Sequence, residues 1–264
     1  MSLPSFTMRQ LLESGVHFGH HPRRWNPKMS QYIFGKRGGI HILDLQQTYP
    51  MLKKALEVVH EVASKGGRIL FVGTKRQAAD IVAQAAQSTG HYYVNHRWLG
   101  GMLTNWNTIS KSIKRLEEVE SVLENKADGL TKKEQLRLLR SRDKLRADLG
   151  GIREMGGVPD AIVVVDAHKE VTAISEANKL GVPVIAVCDS NADPDGIDYV
   201  IPGNDDARRA IEMYCNLFST AILEGMQKRN LKAGKDIGAS ENIETIVAAA
   251  EKQSDDHTIE TTAN

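Results

Sequence analysis

The side chains best equipped for chemistry lie early in the chain. In MRQLLESGVHFGHHPRRWNPKMSQYIFGKRGGIHILDL, His17, His20 and His21 crowd beside Arg23, Arg24, Trp25 and Lys28, and Lys36 and Arg37 follow. Pro22 and Pro27 fix the backbone here without forming an element. Side chains that fork to phosphate therefore stand beside an aromatic plane on a stretch held extended, which suits an irregular anionic surface such as folded RNA. The plainer alternative is a basic loop that packs Trp25 on its own domain. His17-x-x-His20-His21 also offers imidazole nitrogens to a metal, with His41 and Asp44 the near ligands in sequence. No cysteine is close, the pattern completes no known metal motif, and no cofactor is expected.

Three further places merit chemical scrutiny. Gly73-Thr74-Lys75-Arg76 follows an apolar run and turns into a helix. It is not a Walker loop, because Gly73 is followed by Thr74 rather than Lys, and GxGxxG is absent. A strand end feeding a helix start with Lys75 and Arg76 can still meet a phosphate through amides and the helix dipole. NHRWLGGMLTNW carries His96, Arg97, Trp98 and Trp106 around Gly100-Gly101, and its tryptophans either anchor the next element or stack on bases. Asp166 and Asp189 end buried strands, where doubly wound enzymes keep functional carboxylates. The four aspartates from Asp189 to Asp198 make no calcium loop, because the sixth position is Pro194 and the twelfth is Val200. No nucleophile occupies a strand-to-helix elbow and no Cys–His pair is indicated, so an enzyme is not expected.

The elements that must position these residues centre on Val158 to Asp189. Ala161 to Val165 is a continuous β-branched run, Val171, Ile174, Ala177 and Leu180 recur at helical spacing, and Gly181 and Pro183 stop the helix before Val184 to Val187. This is a parallel strand–helix–strand crossover. Further strands are expected at Ile40–Leu43, Arg68–Val72, His91–Val94 and Asp198–Ile201. Helices are expected at Met8–Ser14, Tyr49–Ser64, Gln77–Ser88 and Ala207–Met226, the last capped by Asn204, Asp205 and Asp206. Residues 105–150 break that rhythm. Ile109, Leu116 and Leu123 fall seven apart with Val119 in the complementary seam; Thr131 and Glu134 form a capping box, and Leu138 and Leu145 repeat the spacing, joined by Leu149 and Ile152. The pattern is that of an antiparallel coiled-coil hairpin with charged outer faces. The expected organisation is an α/β sheet domain from 1–104 and 151–230 with a basic N-terminal arm, a hairpin insertion at 105–150, and a weakly structured tail at 231–264 with one candidate helix at Glu241–Glu251.

Composition supports a real core: 41% of the 264 residues are apolar and 25% charged. No run approaches the length of a membrane span, the start is no signal peptide, and the two cysteines are expected reduced in a cytosolic setting. The net charge of +1 conceals a split: residues 1–104 carry +8, residues 105–150 carry +3 and residues 151–264 carry −10. One end should favour a polyanion and the other avoid it.

LLESGVHFGHHPRRWNPKM and PDAIVVVDAHKEVTAISEANKLGVPVIAVCD resemble the two characteristic stretches of the bacterial S-two family of small-subunit ribosomal proteins, and FVGTKRQA and NHRWLGGMLTNW resemble it too. The likeness runs to about residue 228. It implies a flavodoxin-like three-layer domain with a parallel sheet and a protruding coiled-coil hairpin. It also implies a structural, non-catalytic protein of the cytoplasmic ribosome that binds small-subunit ribosomal RNA and neighbouring proteins, including the S-one protein, and is neither membrane-bound nor a homo-oligomer in its working state. By motif, Arg23, Arg24, Trp25 and Lys28 fall in the family's RNA- or partner-facing arm, Lys75 and Arg76 in its basic strand-end turn, and His96, Arg97 and Trp98 in the loop before the hairpin. A different reading is a protein-docking module whose acidic C-terminal third recruits basic partners, with RNA contact incidental.

Overall fold

In the computed structural model, which describes residues 3–125 and 131–232, the chain opens with α1 (Met8–Glu13), two short 3-10 turns at Pro22–Arg24 and Pro27–Tyr32, and the antiparallel pair β1 (Ile33–Arg37) and β2 (Ile40–Leu43). There follow α2 (Leu45–Ser64), β3 (Ile69–Val72), α3 (Arg76–Ser88), β4 (Tyr92–Val94), α4 (Trp106–Asn125) and α5 (Lys132–Leu149). The order ends with β5 (Ala161–Val165), α6 (Val171–Leu180), β6 (Val184–Cys188), β7 (Tyr199–Pro202) and α7 (Arg208–Lys232).

The apolar runs of β3, β5 and β6 are buried at every position. Such strands satisfy both faces only under helices on both sides, and they lie in the middle of a five-stranded parallel sheet ordered β4-β3-β5-β6-β7. Alternate residues divide between two cores. Phe71, Val163, Val165, Ile185 and Val187 meet Leu52, Leu56 and Val59 of α2 and Phe218 and Ile222 of α7. On the opposite face, Leu70, Val72, Ile162, Val164 and Ala186 meet Ala173 and Ala177 of α6, Ile109 and Ile113 of α4, and Leu149 and Ile152. Each fully buried aliphatic side chain contributes about 1.5–3 kcal/mol through removal from water. Among the described residues no helix is long and apolar enough to cross a membrane.

Several boundaries differ from the sequence expectation for identifiable reasons. α2 begins four residues earlier than expected, because Asp44 accepts a hydrogen bond from Gln46 N and Thr48 Oγ donates to Pro202 O, so Pro50 lies inside the helix rather than at its start. β1 escaped the periodicity reading because IFGKR contains a glycine and two cations and leaves Phe34, Lys36 and Arg37 exposed; pairing with β2 makes it a strand. Pro22 and Pro27 do form elements, each opening a 3-10 turn where a missing N–H is not needed. Asn204 shapes the turn that leads into α7, its Oδ1 accepting from the amides of Asp206 and Ala207 just before the helix begins at Arg208. Asp205 and Asp206 do not cap it; their carboxylates are drawn instead to Lys75.

α4 and α5 lie beside each other in opposite directions, with Glu120, Leu123 and Glu124 facing Gln135, Leu139, Arg142 and Arg146. Ile109, Ile113, Leu116 and Val119 are buried on α4, whereas burial on α5 is confined to Asp148 and Leu149 near its end. Thr131 and Glu134 form the expected capping box. The connection 126–130 and the tail beyond Lys232, including the candidate helix at Glu241–Glu251, lie outside the described residues.

The connection from β4 to α4 is held by one acid. Glu176, buried on α6, accepts hydrogen bonds from the amides of Gly101 (2.7 Å), Leu103 (3.0 Å) and Thr104 (3.1 Å), from Trp98 Nε1 (3.1 Å) and from Thr104 Oγ (3.1 Å). Burial alone would push its carboxyl upward, but these donors favour the anion and hold it below the usual carboxylate range. Both cysteines are free and buried, and burial pushes Cys215 up to about 12 and Cys188 higher still.

Glu176→Ala leaves several inward donors unsatisfied and is expected to cost about 3–5 kcal/mol in urea unfolding. Because the folded pKa of Glu176 is depressed, its stabilisation is present above pH 4.5 and is lost as pH falls through the folded value, so Glu176→Gln should flatten the stability profile on the acid side. Neither thiol should react with iodoacetamide at pH 8 in the folded protein, and both should label once it is unfolded; rapid labelling in the native state would contradict the burial.

Candidate nucleic-acid interface

In a parallel sheet every strand delivers its C-terminal end to the same edge. Here β3 delivers Thr74 and Lys75, β5 delivers Asp166, β6 delivers Asp189 and Ser190, and β7 delivers Asn204, Asp205 and Asp206. The segment between α1 and β1 lies over this edge through backbone-directed bonds. His20 N donates to Ser190 Oγ (2.9 Å) and Asp189 Oδ1 (3.2 Å), Asn26 N donates to Ser190 O (2.8 Å), and Asn204 N donates to Val16 O (2.9 Å). The same segment pairs with β2, where Gly19 N donates to His41 O and His41 N to His20 O. The approach is close enough that a Cβ on Gly19 would sit 3.0 Å from Ser190 Oγ and 3.1 Å from Asp189 Oδ1. The arm is therefore part of the folded edge.

The cations singled out by sequence divide into two groups. Lys75 is a half-buried ion-pair centre, with its Nζ 2.7 Å from Asp205, 2.5 Å from Asp206 and 3.3 Å from Asp166. Burial opposes its charge, but the carboxylates outweigh that and hold the ammonium above its ordinary pKa. Lys28 is held by Asp193 (2.7 Å) and Asp195 (2.6 Å) of the loop after β6. His96 Nδ1 lies 2.6 Å from Asp148 at the end of α5, and Trp98 donates to Glu176. These four contacts are internal.

Arg23, Arg24, Lys36, Arg37, Arg76 and Arg97 are exposed, and among the described residues none of them has an ion-pair partner. Arg76 and Arg97 follow the ends of β3 and β4, along the same sheet edge. Arg23 and Arg24 precede Trp25, whose 40%-exposed indole stacks on His41 with ring centroids 5.4 Å apart. His41 is the register partner of Lys36, so the arm and the β1–β2 pair form one lobe that presents cations beside an aromatic plane. Sequence reasoning missed Phe34, 77% exposed on β1, and Phe18, 43% exposed; an aromatic inside a basic strand was the available signal.

The three histidines do not converge on one ion. His17 packs against Phe18, His21 Nδ1 lies 2.8 Å from Gly39 O, and only His20 turns inward. His20 Nδ1 is 3.0 Å from Asp189 and its Nε2 is 3.2 Å from Asp206, and contact with Asp189 raises its pKa. Burial beside Asp166 and Asp189 pushes Asp205 up to about 7.

A family model described as Ribosomal protein S2 matches residues 11–225. The chain is 59% identical to the small ribosomal subunit protein uS2 of Ruegeria sp. (strain TM1040), over 96% of this chain and 98% of that protein. It is 60% identical to the protein of the same name from Gluconobacter oxydans (strain 621H), over 95% of each. With that of Rhizobium meliloti (strain 1021) it shares 59% identity over 92% of this chain and 95% of the relative. Whole-length identity at this level, with the arm, the strand-end turns and the β4–α4 loop all inside the matched span, places the chain in the ribosomal protein S2 family.

Proposed function

We propose that this protein is a structural constituent of the small ribosomal subunit in the cytoplasm, binding ribosomal RNA and neighbouring ribosomal proteins without catalysing a reaction. The observation that supports the binding mode is the set of exposed cations at Arg23, Arg24, Lys36, Arg37, Arg76 and Arg97, without ion-pair partners among the described residues, beside Trp25 and Phe34. Guanidinium forks meeting phosphates at an irregular RNA surface neutralise charge and fix orientation, while the aromatic faces contribute stacking area. Lys28, Lys75, His96 and Trp98 hold the segments of this surface through contacts within the protein.

Finer features belong to the same reading. The strand order β4-β3-β5-β6-β7, with the first strand of the sheet second from the edge, matches flavodoxin-like winding. α4 and α5 act as a coiled-coil hairpin, an insertion at 105–150 that carries a charged surface away from the sheet domain of 1–104 and 151–230. The exposed apolar side chains Met8 and Leu12 on α1 favour protein contacts beside the RNA surface, and the S-one protein is a candidate partner there. A purely protein-docking role would draw instead on the acidic C-terminal third, with RNA contact incidental.

Arg23→Ala/Arg24→Ala is expected to weaken binding to small-subunit RNA similarly across RNA sequences, and to reduce the slope of log affinity against log salt by about 1–2. Salt-dependent filter binding and hydroxyl-radical footprinting of reconstituted subunits read this directly. Affinity that stays flat from low to physiological salt would remove phosphate contact as the binding mode.

A further inference from the structure

Just past β4 stands a histidine whose two ring nitrogens face different surroundings. His96 Nδ1 lies 2.6 Å from Asp148 Oδ1, and the two side chains differ in exposure, 61% for His96 against 9% for Asp148. Asp148 belongs to the last turn of α5, where a carboxylate meets the negative end of the helix dipole and needs a donor to hold it. An ionised carboxylate only accepts hydrogen bonds, so it keeps the imidazole proton on Nδ1 and leaves Nε2 with a free lone pair. The exposed edge of the ring is therefore a neutral acceptor.

Both partners are held in place from outside the pair. Gly151, just past α5, runs so close to β4 that a Cβ there would collide with Tyr93 O. Asn95 Nδ2 donates to Ala79 O (3.1 Å) on one side of His96, and Trp98 donates to Glu176 on the other. An imidazole fixed in this way offers Nε2 in one orientation, next in the chain to the exposed Arg97.

The exposed arginines read phosphate, which DNA and RNA share, so they cannot tell the two apart. The 2′-hydroxyl can, and as a donor it needs an acceptor that does not repel the polyanion. A surface carboxylate fails that requirement, whereas an imidazole locked in one tautomer meets it. We propose that His96 accepts a hydrogen bond through Nε2 from a ribose 2′-hydroxyl of the bound RNA, with Asp148 as the positioning residue that fixes its tautomer. The inference rests on the RNA-binding reading given above and adds to it the contact by which this edge distinguishes RNA from DNA.

The test uses the full chain and small-subunit RNA transcripts carrying 2′-deoxy analogues at random positions, selected for binding and then mapped. The parent should show interference at a nucleotide in this contact, with affinity reduced about fivefold, the worth of one ordinary hydrogen bond. His96→Asn keeps an N–H donor for Asp148 but places nothing where Nε2 was. It should retain the parent's circular dichroism and urea midpoint, bind unmodified RNA about fivefold more weakly, and be indifferent to that same deoxy substitution. Asp148→Asn, which no longer fixes the ring proton, should weaken the interference without changing the salt slope. Arg97→Ala should lower the salt slope by about 1 yet keep the interference. An interference map of folded His96→Asn identical to the parent's would overturn the proposal. So would a His96→Asn defect that grows as pH falls and alters the salt slope, which would mark an imidazolium on phosphate instead. Absence of salt-dependent RNA binding by the parent would remove the RNA-binding reading and this contact with it, whereas a normal slope without the His96-dependent interference removes only the contact.

Discussion

The ammonium of Lys75 is what allows four strand ends to share one edge. Parallel strands bring Asp166, Asp189, Asp205 and Asp206 together whether or not their charges agree, and without a cation their mutual repulsion would open the edge. The network is mostly buried, so its net contribution to stability is small against desolvation, whereas removing its cation alone would leave uncompensated buried charge. Its structural consequence is positional. It fixes the turn after β3, the start of α7 and the floor on which His20 and the arm rest.

That floor divides the labour among basic residues. Lys28 at the surface and Lys75 beneath it both pair their charge with acids from the C-terminal third of the sequence. The unpaired arginines and Lys36 project from segments those contacts hold in place. A surface assembled this way loses little conformational entropy when it meets a rigid polyanion, because its backbone is already ordered. Glu176 does the same for the β4–α4 loop: it draws Trp98 and three amides inward, beside a loop whose Arg97 stays outside.

Much of the architecture was legible from pattern. The β-branched runs of β3, β5 and β6 could be read because burial on both faces leaves an uninterrupted apolar signature, and the Thr131–Glu134 cap because its chemistry is local. β1 was not legible, since half-exposed strands carry polar residues and owe their conformation to a partner. Charge was partly misleading. A linear split of +8 against −10 invited two separate faces, yet acids at Asp193, Asp195, Asp205 and Asp206 fold against Lys28 and Lys75.

What the amino-acid sequence determined by itself was the inventory of elements, their α/β alternation, the resemblance to a ribosomal family, and which residue types could meet phosphate. What only the tertiary structure decided was which of those residues remain free to do so. Lys75 and Arg76 are neighbours in sequence, but one is enclosed by carboxylates and the other stands in solvent. His17, His20 and His21 read as a cluster, and only His20 faces the acids. The physical reason is that periodicity and propensity act over a few residues, whereas charge pairing and burial depend on contacts between residues more than a hundred positions apart, which exist only after the sheet has formed.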